Sequence, residues 1–129
     1  MNQGFTAAVT LLALLLYLIV SLNVMEARRK YEVRAPATTG NEHFERAYRV
    51  QMNTLEQMAF VLPSLWLCAT FLFDLAAAIG GIVWIAGRAL YALAYIHDPA
   101  SRGRGMMISF VTQIALFLGA LFGVVRSFL

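Results

Sequence analysis

The stretch at residues 4–25, GFTAAVTLLALLLYLIVSLNVM, contains no charged residue and is long enough to cross a bilayer as one helix. A secretory signal peptide would carry positive charge before its apolar run and small residues at its end. Here the positive charge follows the run, in EARRKYEVR at 26–34. The stretch therefore predicts a membrane helix that the protein retains.

The composition of the whole chain agrees with a membrane protein. Of 129 residues, 60% are hydrophobic and 13% are charged, whereas a soluble domain has about 25% charged residues. The mean hydropathy is +0.70. The net charge of +3 suggests no nucleic-acid partner, because the basic residues stand at the ends of apolar runs and form no single soluble patch.

Three further helices are predicted over about 44–73, 75–97 and 105–127. The apolar part of the second, 58–73, is short for a membrane span, so the charged segment 44–57 is expected to extend it beyond the bilayer, with a kink at Pro63. We therefore predict an all-α membrane protein, a four-transmembrane-helix bundle in which residues 1–129 form a single domain.

Lysine and arginine residues predict the orientation of this bundle. The first loop, the entry to the second helix and the third loop hold nearly all of them, whereas the opposite face has Arg126 alone. The positive-inside rule then places loops one and three in the cytoplasm and both termini outside. The membrane is predicted to be a bacterial inner membrane or the endoplasmic reticulum.

Cysteine and histidine are too scarce for a disulfide framework or a metal cluster. Cys68 lies in an apolar run and is interpreted as a small buried side chain, while His43 and His97 are far apart in sequence. No metal is expected.

Two polar stripes appear when the second and third helices are placed at helical spacing. Arg49, Asn53 and Glu56 follow i, i+4, i+7 and share one face. On the third helix, Arg88 is followed at i+3 and i+7 by two tyrosines, and this stripe opens toward the same side of the membrane. The two stripes thereby bring four kinds of polar group to one region: guanidinium, amide, carboxylate and tyrosine hydroxyl.

Several interpretations of these charges are open from the residues alone. Glu56 and Arg88 could pair and stabilise the bundle, and the arginines near the surface could be anchors that follow the positive-inside rule. The arginines nevertheless outnumber the nearby carboxylates, which favours an anionic ligand held by guanidinium groups. Glutathione, with two carboxylates, one ammonium and a thiol, has matching chemistry.

Three segments, in this order, resemble the membrane-associated proteins in eicosanoid and glutathione metabolism (MAPEG) family. They are ARRKY at 27–31, FERAYRVQMNTLE at 44–56 and GRALYALAY at 87–95. The resemblance covers nearly the whole chain and is closest to the leukotriene-type branch. It implies a four-helix protomer, a homotrimer, and glutathione bound between neighbouring protomers near the cytosolic side.

The resemblance also implies roles for individual residues. The thiolate-stabilising arginine of the family falls on Arg102, and Arg29 matches a second arginine that assists catalysis. Arg104 is the alternative to Arg102 if the third loop follows the prostaglandin-type spacing. The implied glutathione ligands are Arg28, Arg49, Gln51, Asn53, Glu56, Tyr91 and Tyr95, with Arg46 and Arg88 as further candidates.

Two departures from the family pattern are visible. Gln57 stands where leukotriene-type enzymes have a tyrosine. Gly103 and Gly105 follow the two candidate arginines, where prostaglandin-type members have a serine, and this argues against a prostaglandin synthase.

The resemblance thus implies a membrane glutathione transferase with glutathione as co-substrate. Its thiolate would attack a lipophilic electrophile or reduce a lipid hydroperoxide. The main alternative is a non-enzymatic lipid-binding scaffold, like the lipoxygenase-activating member of the family. A small channel is disfavoured, because the fourth helix offers only Ser109, Thr112 and Gln113 as polar residues along a path.

Overall fold

The computed structural model describes residues 2–129 as four long helices and a short 3-10 turn. The prediction of an all-α chain with four helices is confirmed. Three of the predicted helices agree with the structure to within about two residues, whereas the first was predicted to end too early. The helices are α1 Gly4–Tyr31, α2 Glu42–Phe71, α3 Asp74–His97 and α4 Gly103–Arg126, and the 3-10 turn is Pro99–Ser101.

Helix α1 continues beyond its predicted end at residue 25 through the basic segment. Glutamate, alanine, arginine and lysine are good helix formers, and cations in a last turn interact favourably with the negative end of the helix dipole. The helix ends where Glu32 adopts a left-handed backbone conformation with φ of 57°. The backbone N–H of Glu32 bonds to the carbonyl of Arg28 and closes the last turn.

Helix α2 begins at a side-chain cap and is the longest of the four, at 30 residues. The Asn41 side-chain oxygen accepts the backbone N–H groups of His43 at 2.8 Å and Phe44 at 3.1 Å. This bond satisfies donors that the first helical turn leaves without an intrahelical partner. The helix continues through Pro63 to its end, and the kink there stays a prediction.

The helices pack so that α1 and α4 each lie mainly against α2 and α3. We call the end where α1 and α3 finish and α2 and α4 begin the basic end. At the opposite end, Asp74 joins α3 to α1. Its carboxylate accepts the backbone N–H groups of Phe5 at 3.1 Å and Thr6 at 3.0 Å. The first residue of α3 thereby caps the first turn of α1.

Close backbone contact fixes α4 against its neighbours. A Cβ added to Gly105 would lie 2.3 Å from the backbone nitrogen of Tyr91 on α3, and one added to Gly123 would lie 2.9 Å from the carbonyl oxygen of Phe71 on α2. The Gly119–Gly123 pair therefore packs within the chain, against the end of α2. Cys68, as expected, is a buried member of the same core.

Large apolar side chains cover much of the outer surface, including Leu11 at 68% exposure and Phe122 at 62%. In the part of the chain that the structure describes, three helical segments are long and apolar enough to cross a membrane: Gly4–Tyr31, Asp74–His97 and Pro99–Arg126. Such surfaces suit lipid as the solvent, so the chain is an integral membrane protein. Helix α2 is the exception, because its first half carries the charged stripe.

Candidate functional site at the basic end

A polar cavity of about 440 Å³ opens at the basic end, between the first loop, the start of α2 and the end of α3. It brings together Arg49 and Tyr95, two of the predicted ligands from different helices. The lining residues are Thr38, Thr39, Glu42, Glu45, Arg46, Tyr48, Arg49, Tyr95 and Pro99. We call this space the basic-end cavity.

The two arginines of α2 in this cavity differ in their partners. Arg46 forms an ion pair with Glu42, one turn earlier on the same helix. Arg49 is exposed and forms no ion pair with any acidic residue in the described part of the chain. An anion that enters the cavity would therefore find Arg49 available, whereas the charge of Arg46 is already partly neutralised.

A column of two phenol rings from α3, with one guanidinium group at each end, runs toward the cavity. The guanidinium carbon of Arg88 lies 4.0 Å from the ring centre of Tyr91. The rings of Tyr91 and Tyr95 are 5.6 Å apart, and the guanidinium carbon of Arg102 lies 5.7 Å from the Tyr95 ring. The column links the interior of the bundle to the loop before α4.

Arg88 is fully buried, and its charge has no acidic partner in the residues described. Its Nη2 donates to the hydroxyl of Thr54 at 2.9 Å, while its Nε and Nη1 have no hydrogen-bond partner. The interpretation that Arg88 pairs with Glu56 is wrong, because Glu56 faces outward from α2. Arg88, on α3, instead contacts α2 at Thr54, on the buried side of that helix.

The side-chain oxygen of Asn53 is likewise buried without a hydrogen-bond partner. Buried polar groups are nearly always paired, so those that remain unpaired suggest a site for water or a polar ligand. Within the predicted stripe of α2, Arg49 and Glu56 are exposed and Asn53 is half-buried between them. The stripe therefore lines a surface of the single chain.

Three other predicted residues lie away from the basic-end cavity in a single chain. Arg28 donates to the carbonyl of Ala37 at 2.8 Å and so holds the first loop. Arg29 pairs with Glu26 on the exposed surface of α1. Gln51 donates to Ser21 of α1 at 3.1 Å, and so faces the groove between α1 and α2.

The structure places the two candidate arginines near α4 differently. Arg102 donates to the carbonyl of Pro99 at 2.6 Å, and its guanidinium lies near Tyr95, a residue of the cavity. Arg104 lines a separate depression on the outer side of α3, next to Leu90. Of the two arginines, Arg102 is therefore the one that lies next to a residue of the cavity.

Gln57 lies inside the bundle and away from the cavity. Its side-chain oxygen accepts the indole N–H of Trp84 at 3.2 Å, and its amide nitrogen contacts the sulfur of Met106 at 3.8 Å. The glutamine is buried at this position. It therefore serves the core of the bundle, where it satisfies a buried tryptophan.

Sequence reasoning missed Thr54 and Tyr48. Thr54 is 1% exposed and supplies the acceptor for Arg88, and Tyr48 lines the cavity. The signal for Thr54 was its position on the apolar face of α2, four residues after Val50, where a hydroxyl needs a partner. Among residues 2–129, no group of His, Cys, Asp or Glu could hold a metal ion.

Comparison of the sequence with known proteins shows the family to which the chain belongs. The MAPEG family model matches residues 6–122. The Synechocystis protein sll1147, itself uncharacterized, is 49% identical over 92% of this chain and 86% of its own length. Human microsomal glutathione S-transferase 2 is 35% identical over 99% of this chain and 87% of its length. Bovine leukotriene C4 synthase is 41% identical over 74% of this chain, and the match spans 64% of that enzyme.

Proposed function

Because the chain belongs to the MAPEG family, we propose that it is a membrane glutathione transferase that activates the glutathione thiol for attack on lipophilic electrophiles. The observation that carries the proposal is the basic-end cavity, in which Tyr95 and Arg49, a cation without an ion pair among the described residues, share one space of about 440 Å³. Arg102 lies beside the same tyrosine.

The residues of the cavity and of the adjoining polar stripe of α2 have distinct roles in this proposal. Arg49 holds a carboxylate of glutathione through its planar guanidinium, which matches a carboxylate in a bidentate pair. Glu56 takes the ammonium of the γ-glutamyl group, and Asn53 and Tyr95 supply hydrogen bonds. Asn53 supports this role, because its side-chain oxygen has no partner in the described chain.

Arg102 stabilises the thiolate in this mechanism. A free thiol has a pKa of about 8.5, and the thiolate is the nucleophile. A guanidinium near the sulfur favours the charged form, and each unit by which the pKa falls corresponds to about 1.4 kcal/mol. The thiolate then forms a thioether bond with an electrophilic carbon, and the electron pair leaves with the displaced group or is protonated.

We further propose a homotrimer in which neighbouring protomers complete the site. Arg49 and Glu56 are exposed on one face of α2, and the buried side-chain oxygen of Asn53 between them has no partner, so this polar face is incomplete in a single chain. A neighbouring chain would cover them and could bring Arg28, Arg29 and Gln51 to the glutathione. The basic end then lies in the cytoplasm, where glutathione is supplied, and both termini lie outside.

The same thiolate could reduce a lipid hydroperoxide, and peroxidase activity is the second function of this site. A non-enzymatic lipid-binding scaffold is the alternative to catalysis. Glutathione added to the purified protein distinguishes the two, because an enzyme of this mechanism produces a thiolate absorbance band and a scaffold does not.

The proposal is tested with the purified protein, glutathione and an aromatic chloride. The wild type should form the conjugate, and Arg102→Ala should lower kcat and the thiolate absorbance by at least tenfold at neutral pH. Arg104→Ala is the matched control, since it removes the same charge outside the cavity and should retain most of both signals. Wild-type turnover by Arg102→Ala would overturn the role of Arg102, and a wild type without turnover or thiolate would overturn the proposed enzyme.

A further inference from the structure

An apolar groove runs between α1 and α3 on a face that the glutathione site does not use. Val20 and Ala92 form its floor, and they are 6% and 7% exposed. Ile19 and Leu93 stand on its walls at 55% and 62% exposure. The groove has a volume of about 360 Å³ and is lined by almost entirely apolar surface. Because the side chains on its floor are small, the groove between α1 and α3 stays open.

This groove continues into a polar pocket at the basic end. The pocket has a volume of about 290 Å³, and it shares Asn23 and Ile96 with the groove. Lys30, Tyr31 and His43 belong to its lining. One continuous depression therefore changes from apolar to polar as it approaches the basic end.

The polar pocket contains one cationic side chain, Lys30, that is free of an ion pair among the described residues. Glu26, its acidic residue, is paired with Arg29, whereas Lys30 forms no ion pair within the described residues. The Lys30 ammonium lies 5.4 Å from the Tyr31 ring, and that ring stacks on His43 with centroids 5.4 Å apart. The ammonium and the imidazole thus both contact the Tyr31 ring and line the same pocket, and both can donate to a phosphate.

The length of the depression matches one bilayer leaflet. Residues 16 and 30 of α1 mark its two ends, and at 1.5 Å per residue they are separated by about 21 Å. Half of a bilayer with its headgroups measures about 20–22 Å. A single phospholipid would therefore place its acyl chain against the apolar floor and its phosphate at the polar end.

We propose that this depression is a binding site for one anionic glycerophospholipid. The acyl chain lies in the groove between α1 and α3, and Lys30 and His43 donate to the phosphate diester. Asn23, where the groove and the pocket meet, is at the level of the glycerol esters, and its amide can donate to an ester carbonyl. The site is separate from the basic-end cavity, so it does not depend on the proposed transferase activity.

The headgroup contact is tested by native mass spectrometry of the purified protein titrated with dioleoylphosphatidylglycerol in detergent. Lys30→Gln should weaken lipid retention by about fivefold, the effect expected from one lysine near an anionic lipid. Arg34→Gln is the matched control, because it removes the same charge from an exposed residue outside the pocket and should change retention by less than twofold. Equal retention by Lys30→Gln and the control would overturn the site.

The acyl-chain contact is tested with a phosphatidylglycerol that carries a diazirine in its acyl chain, in nanodiscs of the same lipid. Photolabelling should concentrate on Leu16, Ile19 and Leu93, and Ala89→Phe should remove it by filling the groove. Leu118→Phe, on the exposed face of α4, should leave it intact. Labelling spread equally over α4, or unchanged by Ala89→Phe, would show only bulk lipid contact and overturn the proposal. Absence of groove labelling would show that another protein chain covers this face, and would equally overturn it.

Discussion

The guanidinium carbon of Arg88 lies 4.0 Å from the ring centre of Tyr91, at a position from which solvent is fully excluded. A cation over an aromatic face is attracted by the ring quadrupole, and the attraction is larger when the pair is desolvated. The structure therefore stabilises a buried cation with an aromatic ring and one hydroxyl, without a carboxylate among the residues described. Arg88 in turn holds Tyr91 in place beneath the cavity.

Thr54→Val should destabilise the protein by about 1.5–3 kcal/mol, the range for a hydrogen bond to a charged group. The Thr54 hydroxyl donates to the Val50 carbonyl at 2.7 Å and accepts from Arg88, so valine would leave Arg88 without its hydrogen-bond partner. Thermal unfolding in detergent measures the effect. Thr112→Val is the control, since that hydroxyl makes only the same bond within its own helix. An equal loss in both variants would show that the Arg88 contact contributes nothing.

Gly105→Ala should lower stability by about 1–3 kcal/mol, the usual cost of overpacking. The new Cβ would lie 2.3 Å from the Tyr91 nitrogen, so α4 would have to move away from α3 and carry Arg102 with it. Turnover should fall together with the melting temperature. Gly103→Ala is the matched control, because a Cβ there meets no atom within 4 Å. A Gly105→Ala protein with wild-type melting temperature and kcat would contradict the close α3–α4 contact.

Gln57→Leu should destabilise the protein by about 1–3 kcal/mol and leave the KM for glutathione unchanged. Leucine would leave the buried indole N–H of Trp84 without an acceptor. Gln51→Leu provides the contrast: it should raise the KM for glutathione, because Gln51 is a proposed ligand. Melting temperature and KM are measured for both. A raised KM without loss of stability in Gln57→Leu would show that Gln57 is a ligand after all.

Arg49→Lys should raise the KM for glutathione at least tenfold while kcat changes less. Lysine keeps the charge but cannot form the two parallel hydrogen bonds that a guanidinium makes with a carboxylate. Arg46→Lys should raise KM by less than threefold, because Arg46 is already paired with Glu42. Steady-state kinetics at saturating electrophile gives both values. A larger rise in KM for Arg46→Lys than for Arg49→Lys would show that Arg46, and not Arg49, binds the glutathione carboxylate.

The sequence predicted the helices well because apolar runs and turn residues, which act over short stretches of chain, mark their positions. Three of the four are marked by apolar runs, and the turn signals at 98–105 separate the third from the fourth. The first helix was underestimated, because apolar character ends at residue 25 while helix propensity continues to Tyr31. Hydropathy reports where lipid ends, and it does not report where hydrogen bonding within a helix ends.

The candidate site was predictable as a list of residues and less so as an arrangement. Helical spacing placed Arg49, Asn53 and Glu56 on one face, and the structure keeps them together. The same spacing could not tell which residues of α2 face α3, and so it suggested Glu56 as the partner of Arg88 instead of Thr54. Only the position of α3 relative to α2 decides that, and this position depends on packing between residues far apart in sequence.

The sequence by itself determined that this chain is helical, that it is a membrane protein, and that most of its basic residues lie at one end. It determined these features because apolar length, charge position and helix propensity act over a few turns. The tertiary structure alone decided that Arg102, rather than Arg104, stands beside Tyr95, and that Gln57 belongs to the core. The position of Arg102 depends on how closely α4 approaches α3 at Gly105, and that of Gln57 depends on the packing of α2 against Trp84 of α3. No spacing within a single helix can specify either contact.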